Sequence, residues 1–358
     1  MLKLRRGTVV AQDPLTVEVA GERRRAWADA AMVGEAQVGD EVVVNVEALD
    51  LDLGSGGFDV VHVNLTRGLE APGSEDVHVM KLNYTSLQHP VAPIEVELEE
   101  DATAPAPPMP VLVVQLHGQL APALWAARQA RGDLRVGYLQ TPGGALPGTL
   151  STDVSDLRER GLLVGHVTAG TAHGGEHEAI SVAGGIDAAA RALRWDACVA
   201  GPGPGILGSS SRLGHGGLAA LDTAHAALAL GLPTLLAPRL SSSDPRPRHR
   251  GLSHHSRTVL ELVLGAVRVP VPEIETEGWP LLGEEAPAGG SREEALEDLI
   301  AVTKGRHDLA VESVDLAAYA ASGLPARTMG RDLDEDPLFF AAALAAGGAL
   351  AAAVSGGS

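Results

Sequence analysis

The 358-residue sequence predicts an α/β fold: a mostly parallel sheet with helices on both faces, preceded by a small β-barrel-like N-terminal domain. Three observations predict it. Residues 1–65 hold short β-rich stretches separated by turn residues at close spacing, as in small barrels. The run A-T-A-P-A-P-P-M-P at 102–110 then interrupts the chain, and its prolines make it a stiff, extended linker. After residue 110, apolar runs alternate with helical segments, which implies right-handed crossovers and parallel pairing. The expected division is a β-rich domain at 1–100, a linker at 101–110 and an α/β domain at 111–358.

In the first domain the expected strands are 7–11, 15–19, 41–46 and 60–64, with turns such as V-G-D at 38–40 and G-S-G-G at 54–57. One reading of this barrel is a structural or oligomerising cap, which would make the protein a homo-oligomer. The other is an OB-like nucleic-acid binder. That needs basic residues beside exposed aromatics, and Arg23, Arg24, Arg25 and Trp27 are the candidates. Residues 66–100 connect the domains and end acidic, at Glu95, Glu97, Glu99 and Glu100, with Asp101 following.

In the second domain the run 111–117 is almost wholly apolar, as a strand covered on both faces should be. Further strands are expected at 134–140, 163–168, 197–200, 233–237 and 267–271. Helices are expected at 121–130, 152–160, 178–194, 218–230 and 253–264. A helix at 291–302 opens with a capping box, Ser291 and Glu294. The segment A-R-T-M-G-R at 326–331 brings Thr328 and Arg331 back towards the sheet. The stretch 337–354 has the length of a membrane span but is mostly Ala and Gly, so a helix packed on the sheet is expected. Asp332, Asp334, Glu335 and Asp336 suit its N-terminus.

A net charge of −19 argues against non-specific nucleic-acid binding by the surface as a whole. The single cysteine, Cys198, excludes an internal disulfide and a cysteine zinc cluster and fits a reducing cytoplasm. No apolar run follows the basic first six residues, so a secretory signal is not expected.

The loops that leave the C-terminal ends of the strands carry the chemistry, and the opposite loops are plain. This is where open α/β sheets bind ligands. The richest is P-R-L-S-S-S-D-P-R-P-R-H-R-G-L-S-H-H-S at 238–256, a basic island in an acidic chain. Pro245 and Pro247 forbid a helix across it and Gly251 permits a bend. Its Arg246 and Arg248 offer planar forks for carboxylate or phosphate. Its Asp244, His249, His254 and His255 are candidate catalytic residues. The loop 201–217 is expected to cradle an anion on backbone amides at Gly203, Gly205 and Gly208, with Ser209, Ser210 and Arg212 beside them. It lacks the lysine of a Walker loop. Thr141, Gly143 and Gly144 extend the same edge. In T-A-H-G-G-E-H-E at 171–178, the residues His173, Glu176 and His177 allow a divalent metal, joined by His254 or His255. The alternative is that Glu176 and Glu178 pair with the arginines of the basic loop.

The run G-P-G-P-G-I-L-G-S-S-S-R-L-G-H-G-G-L, the loop D-P-R-P-R-H-R-G-L-S-H-H-S, the early P-G-G-A-L-P and the late T-M-G-R-D-L-D-E-D-P-L-F-F together resemble the domain of unknown function 3866 family of bacterial proteins. The resemblance supplies no activity. The residues themselves lead to the expectation of a cytoplasmic protein that binds a small anionic metabolite, a phosphorylated one among the candidates, with histidine acid/base chemistry near neutral pH as its candidate activity. Its rival is a regulatory protein whose barrel contacts a partner or nucleic acid.

Overall fold

The computed structural model describes residues 1–53, 56–70, 73, 77–98, 106–273 and 292–354. The chain divides into two compact units, Met1–Val91 and Ala92–Ser358. Of the proline-rich segment, residues 102–105 lie outside the described residues, as does Ser291 of the expected capping box.

The first unit is a closed five-stranded barrel. Its strands are β1 (Leu4–Gln12), β2 (Leu15–Val19), β3 (Glu22–Trp27), β4 (Glu41–Asn45) and β5 (Asp59–Asn64), in the order β1-β2-β3-β5-β4. All pairings are antiparallel except β3 with β5. One-turn helices α1 (Ala30–Val33) and α2 (Glu47–Asp50) join its strands, and β6 (Val79–Lys81) pairs with β7 (His89–Val91) after it. The interior is mostly valine, from Val9, Val17, Val42, Val44 and Val61, the β-branched residue that suits a pleated surface. The strand β3 was not foreseen. Its E-R-R-R-A-W reads as polar, yet Ala26 faces the core and Arg24 is held by Asp59 at 2.6 Å and by Asp50 at 2.7 Å. Trp27 lies 6.5 Å from Phe58 at 40°, a packed pair.

The second unit is an eight-stranded sheet. It comprises β8 (Val111–Val113), β9 (Val136–Thr141), β10 (His166–Ala169), β11 (His177–Ala179), β12 (Ala197–Pro202), β13 (Thr234–Leu236), β16 (Arg268–Pro272) and β17 (Asp308–Glu312). Between β13 and β16 the chain makes a small hairpin of β14 (Leu240–Ser241) and β15 (Gly251–Leu252). The order is β11-β10-β9-β12-β8-β13-β16-β17, and every pairing in this sheet is parallel. Two strands more than expected are present. The edge strand β17 has an exposed, mixed pattern. The strand β11 takes the start of what reads as helix 178–194; Glu178 accepts from Thr168 Oγ1 at 2.8 Å and Gly174 N at 2.7 Å, and Ser181 then caps a shorter helix through Gly184 N. The expected strand 111–117 stops at Val113. Beyond it, Gln119 Oε1 accepts from the backbone N–H of Gln115 and Leu116 and turns the chain into the next helix.

Helices cover both faces. Alternate strand residues divide the core, with Val111, Val113, Cys198 and Leu236 on one side and Leu112, Tyr138, Val199 and Leu235 on the other, as period-two side chains must. The first side packs against α5 (Val182–Arg191), α6 (Ala219–Ala229), α7 (His254–Leu262) and α8 (Arg292–Thr303). The second packs against α3 (Leu120–Ala130), α4 (Thr152–Glu159), α9 (Leu316–Ala321) and α10 (Pro337–Ala353). Buried almost throughout its length, α10 is a core helix. Among the described residues no helix is long and apolar enough to cross a membrane. The segment before it forms a short hairpin, β18 (Arg327–Thr328) and β19 (Arg331–Asp332).

Candidate functional site

Successive connections run from β8 outward to β9, β10 and β11, return to β12 beside β8, and then run the other way through β13, β16 and β17. The reversal lies at β12, β8 and β13, and a reversal of this kind opens a crevice at the carboxyl ends of the strands. The three loops that leave these strands supply Gln115 and Gln119, His215, and the whole basic segment.

The basic segment folds back on itself. Gly251, at φ +65°, makes the bend that lets β15 return along β14, and Pro247 starts a tight turn at the tip. Ser256 Oγ accepts from Arg239 N and donates to Gln115 Oε1, each at 2.8 Å. Asp244 and Arg239 are thereby buried together, at 0% and 2% side-chain exposure. Three guanidinium groups share Asp244: Arg246 at 2.9 Å, Arg239 at 3.0 Å and Arg331 at 3.4 Å. Burial alone would raise the Asp244 pKa, but hydrogen bonds from Arg246 and the surrounding positive charge hold it well below the usual carboxylate range. Burial pushes Arg239 down to about 10, so it stays charged at neutral pH. Asp336, at the N-terminus of α10, accepts from Ser241 Oγ at 2.6 Å, Ser242 N at 2.8 Å and Arg331 Nε at 3.0 Å. The expected return of residues 326–331 to the sheet is realised by Arg331. Asp336 was read only as a helix-terminal charge, because the contact with Ser241 spans 95 residues.

Four histidine rings meet beside this network. His215 stacks on His255 with centroids 3.7 Å apart and planes 8° from parallel. His254 lies 4.4 Å from His255 and 5.2 Å from His215. His249 lies 4.9 Å from His254 and 4.8 Å from His255, with its Nδ1 2.8 Å from Ser253 Oγ. Burial first, and then neighbouring positive charge from Arg239 and other rings, pushes His249 to about 3, His254 to about 4 and His255 to about 2. His215 is also lowered, by burial first. These rings are therefore neutral at pH 7. Proton exchange near neutral pH, expected from an unperturbed histidine, is not what the site offers; it offers lone pairs.

The sequence had brought together too many residues. His177 stands on β11, with four strands between it and β13. Five interstrand spacings of about 4.8 Å put His177 roughly 24 Å from the loop of His249. His173, Glu176 and His177 thus do not join His254 and His255. Glu176 pairs with Arg158 on α4 and Glu178 with Thr168, so neither balances the basic loop. Arg212 leaves the site as well and pairs with Glu261 at 2.7 Å. Ser209 accepts from Ser211 N and donates to Gly214 O, stabilising its own exposed turn, which also holds Gly208 and Ser210.

Glycines serve close packing more than an amide cradle. A Cβ at Gly144 would stand 2.2 Å from Gly203 O, and one at Gly203 would stand 2.5 Å from Ala145 O. Ala145 N–H donates to Pro204 O at 2.7 Å. The buried Thr141 donates to Pro142 O. Between the two loops runs a groove of about 500 Å³, lined by Gly143, Gly144, Gly214, His215 and Gly216 among others. His215 therefore faces the groove as well as the histidine cluster. Gly205 stands apart at φ +73°.

A second buried polar cluster went unnoticed in the sequence. His117 Nε2 is 2.6 Å from Ser151 Oγ, and Tyr138 donates to Gly201 O and Pro202 O at 3.1 Å. His166 stacks on Tyr138 at 5.3 Å and contacts Gln140 Oε1 at 3.2 Å. Burial lowers His117 to about 4 and His166 to about 3. Every polar group here has an internal role, so we read the cluster as support for the strand ends.

Six histidines of this unit thus resist protonation in the folded state. The unfolded chain, with histidine near 6.5, binds more protons below that pH, so stability rises with pH across the interval. Stability is expected to be full above about pH 6.5 and to fall steadily towards pH 4. Urea midpoints measured from pH 7.5 to pH 5 test this, and a flat profile would contradict the buried, neutral rings.

No curated protein and no solved structure matches the chain. A family profile does: the one described as a protein of unknown function, DUF3866, matches residues 25–347. The match begins within β3 and spans the rest of the barrel, the whole parallel sheet and the three loops of the crevice, and the chain belongs to the DUF3866 family.

Proposed function

We propose that the second unit binds a small anionic metabolite, bearing a phosphate or carboxylate, at the crevice beside β12, β8 and β13. The observation that carries this reading is a charge imbalance. Arg239, Arg246 and Arg331 meet at Asp244, and Arg250 Nε approaches the Asp244 carbonyl at 3.4 Å. Arg248 acts on His254 from the exposed side of the loop. Leaving Arg250 aside, against the guanidinium groups of Arg239, Arg246, Arg248 and Arg331 stand, among the described residues, the carboxylates of Asp244 and Asp336. The surplus of positive charge sits in a protein whose net charge is −19. Arg239, Arg331 and Arg246 are all held by carboxylates, Arg246 through both Nε and Nη2, although Arg246 is 42% exposed, whereas Arg248 is exposed on the loop. The fork of Arg248, with the outer edge of Arg246 beside it, suits an incoming anion. The neutral rings of His249 and His254 can then each donate a ring N–H to it.

Inorganic phosphate and a phosphorylated sugar are the first ligands to test by thermal unfolding. At about 100 times its dissociation constant a ligand adds roughly 2.7 kcal/mol, which is several degrees for a unit of this size. Arg248→Ala removes only exposed surface. It is expected to leave the unliganded melting temperature within about 1 °C and to weaken the ligand at least ~10-fold. Absence of stabilisation by every phosphate, sulfate and carboxylate ligand tried would end this reading.

A further inference from the structure

His215, His254 and His255 each offer a ring nitrogen, and the three nitrogens lie within 4.8 Å of one another. His215 Nδ1, His254 Nε2 and His255 Nδ1 are buried and make no hydrogen bond. Unmade hydrogen bonds at buried nitrogens are costly and usually have a reason. Three on three touching rings share one reason more readily than three. The side chains of His215 and His255 come from residues only 7% and 3% exposed. His215 Nε2 sits 3.0 Å from Arg212 O. Donation to that carbonyl fixes the tautomer and leaves Nδ1 as the lone-pair atom, the usual arrangement behind a metal-bound histidine. Gly217 leaves room at the same place. A Cβ there would stand 3.0 Å from His255 Nδ1 and 3.1 Å from His215 Nδ1.

We propose that His215, His254 and His255 form a three-nitrogen site for a divalent transition-metal ion of the Zn²⁺ class. Neutral imidazoles without thiolate or carboxylate favour zinc, cobalt, nickel or copper over magnesium or calcium. Three protein ligands leave a fourth position open, which distinguishes catalytic sites from closed structural ones. Water or an oxygen of an anionic ligand would complete the shell at that position. The stacked pair, 8° from parallel, directs two lone pairs side by side, so ion entry requires one ring to turn about its Cβ–Cγ bond. The nearby positive charge of Arg239 weakens a bare cation and makes a bound anion and the ion mutually reinforcing. The proposal stands on ring nitrogens and holds whether or not the anion reading does.

The test is titration of the full chain, stripped with a chelator, by Zn²⁺ in phosphate-free, non-coordinating buffer. Heat is followed for Zn²⁺ and visible absorption for Co²⁺. One ion per chain is expected. His254→Ala, at a half-buried position, and His215→Gln are each expected to weaken binding more than about 100-fold. Gly217→Ala keeps all three rings but fills the space, and is expected to weaken it on the order of 10–100-fold. His177→Ala is expected to leave it unchanged. No Zn²⁺ or Co²⁺ binding by the wild type overturns the proposal, as does binding that survives both histidine replacements. Either result leaves phosphate stabilisation as a separate measurement, so the two readings fail independently.

Discussion

Asp244→Asn is expected to cost about 3–5 kcal/mol of stability, the largest loss for any single polar change in the second unit. The replacement is nearly isosteric, so the effect is electrostatic. It leaves Arg239, 2% exposed, with its buried charge uncompensated, and it replaces one of the two accepting oxygens that serve Arg246 and Arg331 by an NH2 that cannot accept. Three guanidinium groups would then face one another across the space Asp244 now fills. For a unit of this size the melting temperature should fall on the order of 10 °C. Arg246→Ala removes a partner that is 42% exposed and is expected to cost about 1 kcal/mol or less, in the range of surface pairs. The double change Arg239→Met with Asp244→Leu should recover much of the loss, since apolar groups often replace a buried pair at no cost. The acid limb provides an independent check. Asp244 has a depressed folded pKa, so its contribution is complete above about pH 4 and disappears as pH falls below that. The Asn variant should lose that part of the acid dependence. An Asp244→Asn protein within about 1 kcal/mol of wild type would mean that Arg239 is not buried as described.

The fold was legible because its signals are local. Apolar runs such as 111–113 and 234–236, and helices such as 219–229, announce themselves by residue type and period, and so does the alternation that makes the sheet parallel. What was missed depends on contacts distant in sequence. The β3 stretch E-R-R-R-A-W becomes a strand because Asp59 and Asp50 neutralise Arg24, and no window of the sequence contains all three. The helix expected at 178–194 starts late because Glu178 is engaged by Thr168 and Gly174.

For the candidate site, the sequence marks which loops carry polar residues but not which of those residues meet. Reading the loops at the strand ends found the basic segment and the glycine-rich loop. It could not supply the strand order, and strand order decides which loops meet. His215 was passed over among seven glycines, yet it is the residue that the glycine-rich loop delivers to the cluster. His173 and His177 carried the stronger local pattern and lie at the wrong edge. A signal for His215 does exist: G-H-G-G places one bulky polar residue among glycines, where the backbone can approach whatever that ring faces. Gly217 beside the two orphaned nitrogens is that approach realised.

Gly347→Ala and Gly348→Ala are expected to act in opposite directions, although the two residues are neighbours in α10. On helix propensity alone each replacement should stabilise by about 1 kcal/mol. At Gly347 the helix lies directly on α3. A Cβ there would stand 2.0 Å from Ala123 O, 2.8 Å from its carbonyl carbon and 2.9 Å from Ala126 Cβ. The obstacle is helix backbone, which moves only if the two helices separate. Almost all of α10 and the inner face of α3 are buried, and α10 also packs on β16 and β17, so separation opens gaps along the whole contact. Overpacking of this kind costs about 1–3 kcal/mol and sometimes more. We expect a net loss of roughly 2–3 kcal/mol for Gly347→Ala, and a larger loss for Gly347→Val, which adds two further methyl groups and a β-branch. At Gly348 the nearest atom to the added carbon is Glu312 Oε2, at 3.2 Å. That is the end of a flexible side chain, so the propensity gain should survive. Thermal unfolding of the three variants decides it. A gain for Gly348→Ala with a loss for Gly347→Ala places the α3–α10 contact where the structure has it. Equal gains would mean that α10 does not rest on α3 at Gly347.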